Sequence, residues 1–404
     1  MTAAAWREKL PGERVASLLA GYEKTFGAAE ELSLFSAPGR TEIGGNHTDH
    51  QHGRVLAAAV GLDMLAAVGE NGENVIRVQS EGYRMCTVEL DDLTVREREK
   101  NTTLALIRGV AAKFREMGAQ VRGFNAYVVS DVLRGSGLSS SAAFEVLTGV
   151  IVNELSFGGK ATPVQIAQIG QYAENVYFGK PSGLMDQMAS SVGNLVAIDF
   201  ADPQKPVVER VEFDFAATGH SLCILDCGAD HADLTDEYAA IPNELKVICA
   251  HFGKIVLRDV PEADFYRELP ALRKLAGDRA VLRAIHFYGD NARVPRQVDA
   301  LKHGDFDAFL SMVRESGRSS WMYLQNVIPA GYKTHQDMAL TLALCDRLLG
   351  DRGAFRVHGG GFAGTVQAFV PNDMLAAFRA ETERVLGAGS CHVLAIRQAG
   401  GVRL

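Results

Sequence analysis

Between residues 123 and 155 a strand, a glycine–serine loop and a helix follow one another, and this succession limits the fold more than any other feature. Gly123 to Ser130 sets Phe124, Ala126 and Val128 in alternation, the period of a half-buried strand. Leu138 to Leu155 spaces Ala142, Leu147, Val150, Ile151 and Leu155 for one buried helix face. The link is Gly135-Ser136-Gly137-Leu138-Ser139-Ser140-Ser141. Glycines admit positive φ and close approach of backbone to a ligand. The first turn of a helix offers unpaired N–H groups, and serines add hydroxyls. Such a junction is either a phosphate cradle or a merely N-capped helix after a turn, and the segment alone leaves both readings open. It is not a Walker loop, because no Lys-Ser/Thr pair follows Gly-x4-Gly. It lacks the third glycine of a dinucleotide fingerprint.

A chain of 404 residues exceeds one typical core and suits two domains. The turn-rich Ala201-Asp-Pro-Gln-Lys-Pro206 suggests a boundary there, giving units of 1–205 and 206–404. Periodicity predicts helices at 6–26, 163–178, 236–253, 296–317 and 334–350, a buried strand or strand pair at 54–69, and strands at 221–226 and 364–370. Strands and helices mix without strict βαβ alternation, so the expected class is α+β. The net charge of −8 gives no electrostatic reason to bind nucleic acid or an anionic membrane. The N-terminal residues lack a signal-peptide pattern, and no apolar run is long enough for a membrane span. Six scattered cysteines read as free thiols of a reducing cytoplasm, with Cys223 and Cys227 flanking a strand rather than forming a metal knuckle.

Three further segments carry chemistry. Arg40 to His52 packs Asn46, His47, Asp49, His50 and His52 between apolar runs. Oriented donors and acceptors of this density suit a sugar, whose hydroxyls must exchange water for protein. The histidines and Asp49 also admit a metal site, and a solvated polar loop is the bland reading. Glu174 and Asp186 sit among apolar neighbours, either as helix caps and surface groups or as paired functional carboxylates. His358-Gly-Gly-Gly-Phe-Ala-Gly364 joins two apolar segments, as a hairpin turn or as backbone close to a ligand.

In combination these segments resemble the GHMP kinases, and within them the galactokinases. Pro38-Gly39-Arg40 with Gly45-Asn46-His47-Thr48-Asp49 looks like the sugar signature, and Gly137 to Ala142 like the second GHMP motif. Gly359 to Gly364 resembles the third motif, and Pro181-Ser-Gly-Leu-Met-Asp186-Gln187 the catalytic-aspartate segment. The resemblance implies a two-domain fold, with an N-terminal domain like domain 2 of ribosomal protein S5 and a ferredoxin-like C-terminal domain. It implies Arg40 and Asp186 as the catalytic pair and Ser141 and Glu174 as ligands of Mg²⁺. Asn46, His47, Asp49, Gly183 and Tyr238 would hold the sugar, and residues 135–141 the phosphates of ATP. The partners would be ATP and a monosaccharide in the cytoplasm, with no nucleic acid or membrane, and a monomer is compatible with this reading. The implied reaction converts galactose to galactose 1-phosphate.

Several positions depart from the pattern. Position 46 is Asn where these kinases carry Glu, and Thr41-Glu42 stands for Val-Asn. Thr103 takes the place of the aromatic residue over adenine, and Met322-Tyr-Leu-Gln325 replaces an acidic stretch. Loss of a carboxylate beside the sugar's C6 would admit a C6-altered sugar such as galacturonate, glucuronate or arabinose. A catalytically silent ATP- and sugar-binding regulator is the alternative of another class.

Overall fold

The computed structural model describes residues 10–29, 31–132, 137–228, 234–362 and 364–404. Its first element is helix α1 (Gly12–Phe26), followed by strands β1 (Ser33–Gly44), β2 (Arg54–Glu70), β3 (Val75–Ser80) and β4 (Cys86–Glu89). Helix α2 (Thr103–Glu116) leads to β5 (Phe124–Ser130), then α3 (Ser140–Ser156), α4 (Pro163–Tyr172), α5 (Met185–Val192), β6 (Leu195–Asp199) and β7 (Val207–Val211). Strand β8 (His220–Asp226) precedes helices α6 (Thr235–His251), α7 (Glu262–Arg267), α8 (Leu269–Lys302), α9 (Phe306–Ser319) and α10 (Asp337–Leu349). The chain ends with β9 (Ala354–His358), β10 (Thr365–Pro371), α11 (Leu375–Leu386), β11 (Cys391–Leu394) and β12 (Val402–Arg403).

The described strands make two sheets. Eight form the first, in the order β12-β1-β2-β5-β3-β4, with β6 and β7 branching from β2. Four form the second, in the order β11-β8-β10-β9. Pairing is antiparallel except between β3 and β5. The turn at 201–206 lies between β6 and β7 of the first sheet, and the C-terminal β12 returns to β1 of the same sheet.

Alternation along β8 shows how the second sheet is covered. Leu222 and Ile224 face the large core that includes Phe309, Leu310 and Val313 of α9. Cys223 and Leu225 face α10 and α11, against Met338, Leu342 and Phe378. A strand buried on both faces reads as a continuous apolar run, as Leu222 to Leu225 does. The six cysteines are free thiols, and among the described residues no three or more His, Cys, Asp or Glu side chains gather into a metal cluster. Among the described residues, too, no helix is long and apolar enough to cross a membrane.

Two predicted helices are altered. The span 296–317 is two helices, because the chain breaks where Gly304 takes φ 71° and the Asp305 side chain caps α9 by accepting from Ala308 N. The span 163–178 is α-helical only to Tyr172 and continues as a π-turn, Ala173–Phe178, that carries Glu174.

Candidate active site

The polar knot begins inside a strand. Residues 35 to 44 of β1 are buried throughout, and its register against β2 slips between Pro38 and Arg40. Proline cannot donate to a ladder, so it marks an irregularity, and such a slip re-aims the next side chain. The Arg40 amide leaves the β2 ladder and donates to Leu138 O at 3.0 Å, so the glycine–serine loop docks on the strand at this point. The Arg40 side chain then reaches the start of α5. Its Nε donates to Asp186 Oδ1 at 2.6 Å and its Nη2 to Oδ2 at 2.8 Å, a two-pronged ion pair. Nη1 donates to Gly137 O. Burial alone would raise the Asp186 carboxyl, but the Arg40 charge and hydrogen bonds from Arg40 and Ser139 overcome it and hold it below its ordinary range.

Beneath the loop lies the third motif. Gly137 has φ 70°, and a Cβ there would sit 2.8 Å from Thr365 Oγ1 and 3.0 Å from His358 Nδ1, so only glycine fits. His358 is buried, and its Nε2 accepts from Glu42 N at 3.4 Å and lies 3.0 Å from the Thr41 hydroxyl. Nδ1 therefore carries the hydrogen and donates to Thr365 Oγ1 at 2.8 Å. Burial, then the Arg40 and Arg356 charges, push the His358 ring well below its ordinary value, so it is neutral. Ser139 precedes α3 in a left-handed conformation, φ 56°, without a side-chain capping bond, and for a non-glycine residue this conformation needs support from its surroundings. Ser140 and Ser141 open α3 and line a cavity of about 1620 Å³, with Tyr83, Met85, Thr103 and Phe178 among its walls. Gly135 and Ser136 lie outside the described residues.

Glu174 is buried beside this loop. Its Oε2 accepts from Ser182 Oγ at 2.6 Å and Gln187 Nε2 at 2.9 Å, and its Oε1 lies 3.1 Å from Lys180 Nζ. Gln187 also donates to Glu145 Oε2 at 2.8 Å. Glu145 is fully buried, and burial followed by the Glu174 charge raises its carboxyl well above the usual range.

The expected sugar residues fall into two sets. Asp49 opens a 3₁₀ turn and abuts Gly183, where a Cβ would lie 2.2 Å from Asp49 Oδ2. His47 lies 2.9 Å from Gly360 O, and the Tyr238 hydroxyl donates to Gly361 O at 2.9 Å, so both stand on the glycine run. Burial, then repulsion from His50, lowers the His47 ring to about 4. Asn46 forms the second set alone. It is fully buried, and its amide donates to Glu42 Oε1 at 3.0 Å and Gly359 O at 2.7 Å. Its carbonyl accepts from Asn326 at 2.9 Å and Ser320 at 3.2 Å, so each position meant for a sugar is filled from within. The same Glu42 pairs with Arg356 Nη2 at 2.5 Å, and both side chains are buried.

Sequence reasoning passed over Arg356, Glu145 and Lys180. The available signals were a lone arginine in an apolar strand before the glycine run, and a carboxylate on the apolar face one turn after Ser141.

The chain is similar to known proteins. The pattern of the GHMP kinases N-terminal domain matches residues 105–194, and the galactokinase galactose-binding signature matches residues 20–70. A galactokinase of Streptomyces coelicolor is 31% identical over 360 residues, covering 89% of this chain and 90% of the relative. One from Glaesserella parasuis serovar 5 is 30% identical over 369 residues with the same coverage. The crystal structure of Lactococcus lactis galactokinase complexed with galactose has a TM-score of 0.81 at 24% identity, over 97% of this chain and 100% of that chain. A mevalonate kinase structure has a TM-score of 0.63 at 13% identity, over 90% of this chain and 99% of that chain. The chain therefore belongs to the galactokinase family of GHMP kinases and is a sugar kinase.

Proposed function

We propose that the protein transfers the γ-phosphoryl group of ATP to the anomeric hydroxyl of galactose in the cytoplasm. The observation that carries this reading is that Arg40 bonds Asp186, Gly137 O and Leu138 O, while Gly137 packs against His358 and Thr365. Phosphoryl transfer asks for positioning and charge neutralisation more than for covalent help. The cavity over Ser140 and Ser141 receives the nucleotide, with the amides opening α3 directed at its phosphates. His47, Asp49, Gly183 and Tyr238 hold the sugar, and Asn46 fixes the backbone between them from below.

Asp186 orients the attacking hydroxyl and accepts its proton. Held ionised by Arg40, it is a weak base at rest, which suits a loose transition state in which the proton leaves late. Ser141 and Glu174 would hold magnesium. The donors are hard oxygens, and such an ion takes one or two carboxylates and completes its shell with water and phosphate. Bound there, it would neutralise charge on the phosphates.

Galactose is preferred over a uronate because the Asn46 amide has no free donor for a carboxylate at C6. A two-domain division belongs to the same proposal, with its boundary placed after β7 because a cut at the 201–206 turn would separate the paired strands β6 and β7. An ADP-coupled assay with Mg·ATP and galactose, galacturonate, glucuronate and arabinose tests it. Galactose should give the highest kcat/KM, and absence of turnover with every sugar would support a binding regulator instead.

A further inference from the structure

We infer that Lys180 is a phosphate ligand of the transfer reaction, held on Glu174 Oε1 and released to the nucleotide when a divalent cation claims that oxygen. The inference rests on the phosphotransferase reading above.

Glu174 is 3% exposed, and its two oxygens are unequal. Oε2 already accepts from Ser182 and Gln187, both short bonds that anchor the carboxylate. A cation approaching Glu174 must therefore use Oε1, the oxygen on which the Lys180 ammonium lies at 3.1 Å. Two cations on one oxygen repel each other, so binding of one expels the other. Lys180 is the partner able to move. Its side chain is 58% exposed, against 4% for Glu174, and its flexible four-carbon stem reorients at little cost.

The neighbouring cations are already committed. Arg40 is committed to Asp186 through both prongs and to Gly137 O. Lys100, whose stem passes 3.4 Å from a Cβ placed on Gly179, is paired with Glu97 at 2.8 Å. Lys180 is thus the nearby ammonium whose own partner the metal takes over, at the moment when phosphate oxygens arrive beside it. A compact, rotatable cation at the transferring group stabilises the charge that gathers on its oxygens.

The test uses the full-length protein, Lys180→Met and Lys180→Arg, with two readouts. The first is binding of Mn²⁺ alone, followed by electron paramagnetic resonance without nucleotide. Lys180→Met should bind Mn²⁺ roughly threefold more tightly, as expected for loss of a half-exposed ion pair that competes with the metal. The second is steady-state transfer with Mg·ATP, where Lys180→Met should lower kcat about a hundredfold. Lys180→Arg should restore the wild-type Mn²⁺ affinity and most of kcat. A Lys180→Met enzyme with kcat within about threefold of wild type, or with unchanged Mn²⁺ affinity, overturns the inference. So does a loss of activity with a lowered melting temperature that Lys180→Arg does not rescue, which marks a structural lysine. If the wild type itself transfers no phosphate, the parent reading fails, and the Mn²⁺ arm still judges Lys180.

Discussion

Replacing Gly183 by alanine tests the sugar side of the site with one methyl group. A Cβ at this position would lie 2.2 Å from Asp49 Oδ2 and 3.2 Å from Asp49 Cγ. Ordinary contact between such atoms begins about 1.2 Å further out, so the carboxylate must retreat by roughly that distance. The retreat is cheap for the fold. The Asp49 Oδ1 bond to His50 N lies within one loop, and residues 181–183 are outside regular structure. It is costly for a substrate contact, where a shift of about 1 Å lowers the rate roughly a hundredfold, or about 2.7 kcal/mol. Gly183→Ala should therefore lose about two orders of magnitude in kcat/KM for galactose, with KM for ATP within about twofold and a Tm within about 2 °C of wild type. Steady-state kinetics varying each substrate in turn, with a thermal melt, make the measurement. A galactose kcat/KM within about threefold of wild type would show that Asp49 and Gly183 do not meet the sugar.

Three other perturbations address separate parts of the account. Asp186→Asn keeps a carbonyl for Arg40 but cannot take a proton, so turnover should vanish in a protein that remains folded by circular dichroism; kcat above about a tenth of wild type would remove Asp186 from the chemistry. Arg356→Met leaves the Glu42 carboxylate buried without its cation and should cost about 3–5 kcal/mol at neutral pH in urea unfolding. Burial already raises Glu42, so the deficit should shrink towards pH 5 as the folded variant protonates it, and a deficit that grows on acidification would contradict this. The His47 ring is neutral in the fold down to about 4, so galactose kcat/KM should show no step near pH 6.5, and a step there that His47→Asn abolishes would refute its neutral state. The unfolded chain takes up this proton nearer 6.5, so the contribution of His47 to stability is present above that pH and is lost as pH falls towards 4.

The strand and the helix within 123–155 were legible because each has its own local signal, alternation in one and helical period in the other. The apolar run at 54–69 was plain as buried strand, but not as one strand rather than a pair; it is the single strand Arg54–Glu70, buried on both faces. Strand β1 was not, because polar residues from Arg40 to Asn46 hid it; they are tolerated inside only because Asp186, His358, Arg356 and Asn326 satisfy them. Most of helix α8, residues 269–295, also went unread. Pro270, Gly277 and Pro295 punctuate its sequence; two helical segments meet at a kink at Gly277, whose φ of 83° is not helical, and the second continues through Pro295. The site was legible as residue types in order, and its partnerships were not. Nothing in the spacing of Asn46 says that its amide meets Glu42 and the glycine run more than 300 residues on. That pairing exists only once β1 and β9 lie together, and it moves Asn46 from a presumed sugar ligand towards a brace.

The most direct measurement is the product itself. Purified protein incubated with Mg·ATP and ¹³C-labelled galactose can be followed by ³¹P and ¹³C nuclear magnetic resonance. The account requires a new phosphate signal coupled to the anomeric carbon, formed by the wild type and not by Asp186→Asn. Phosphate on another carbon, or none on galactose while another sugar is consumed, would contradict it.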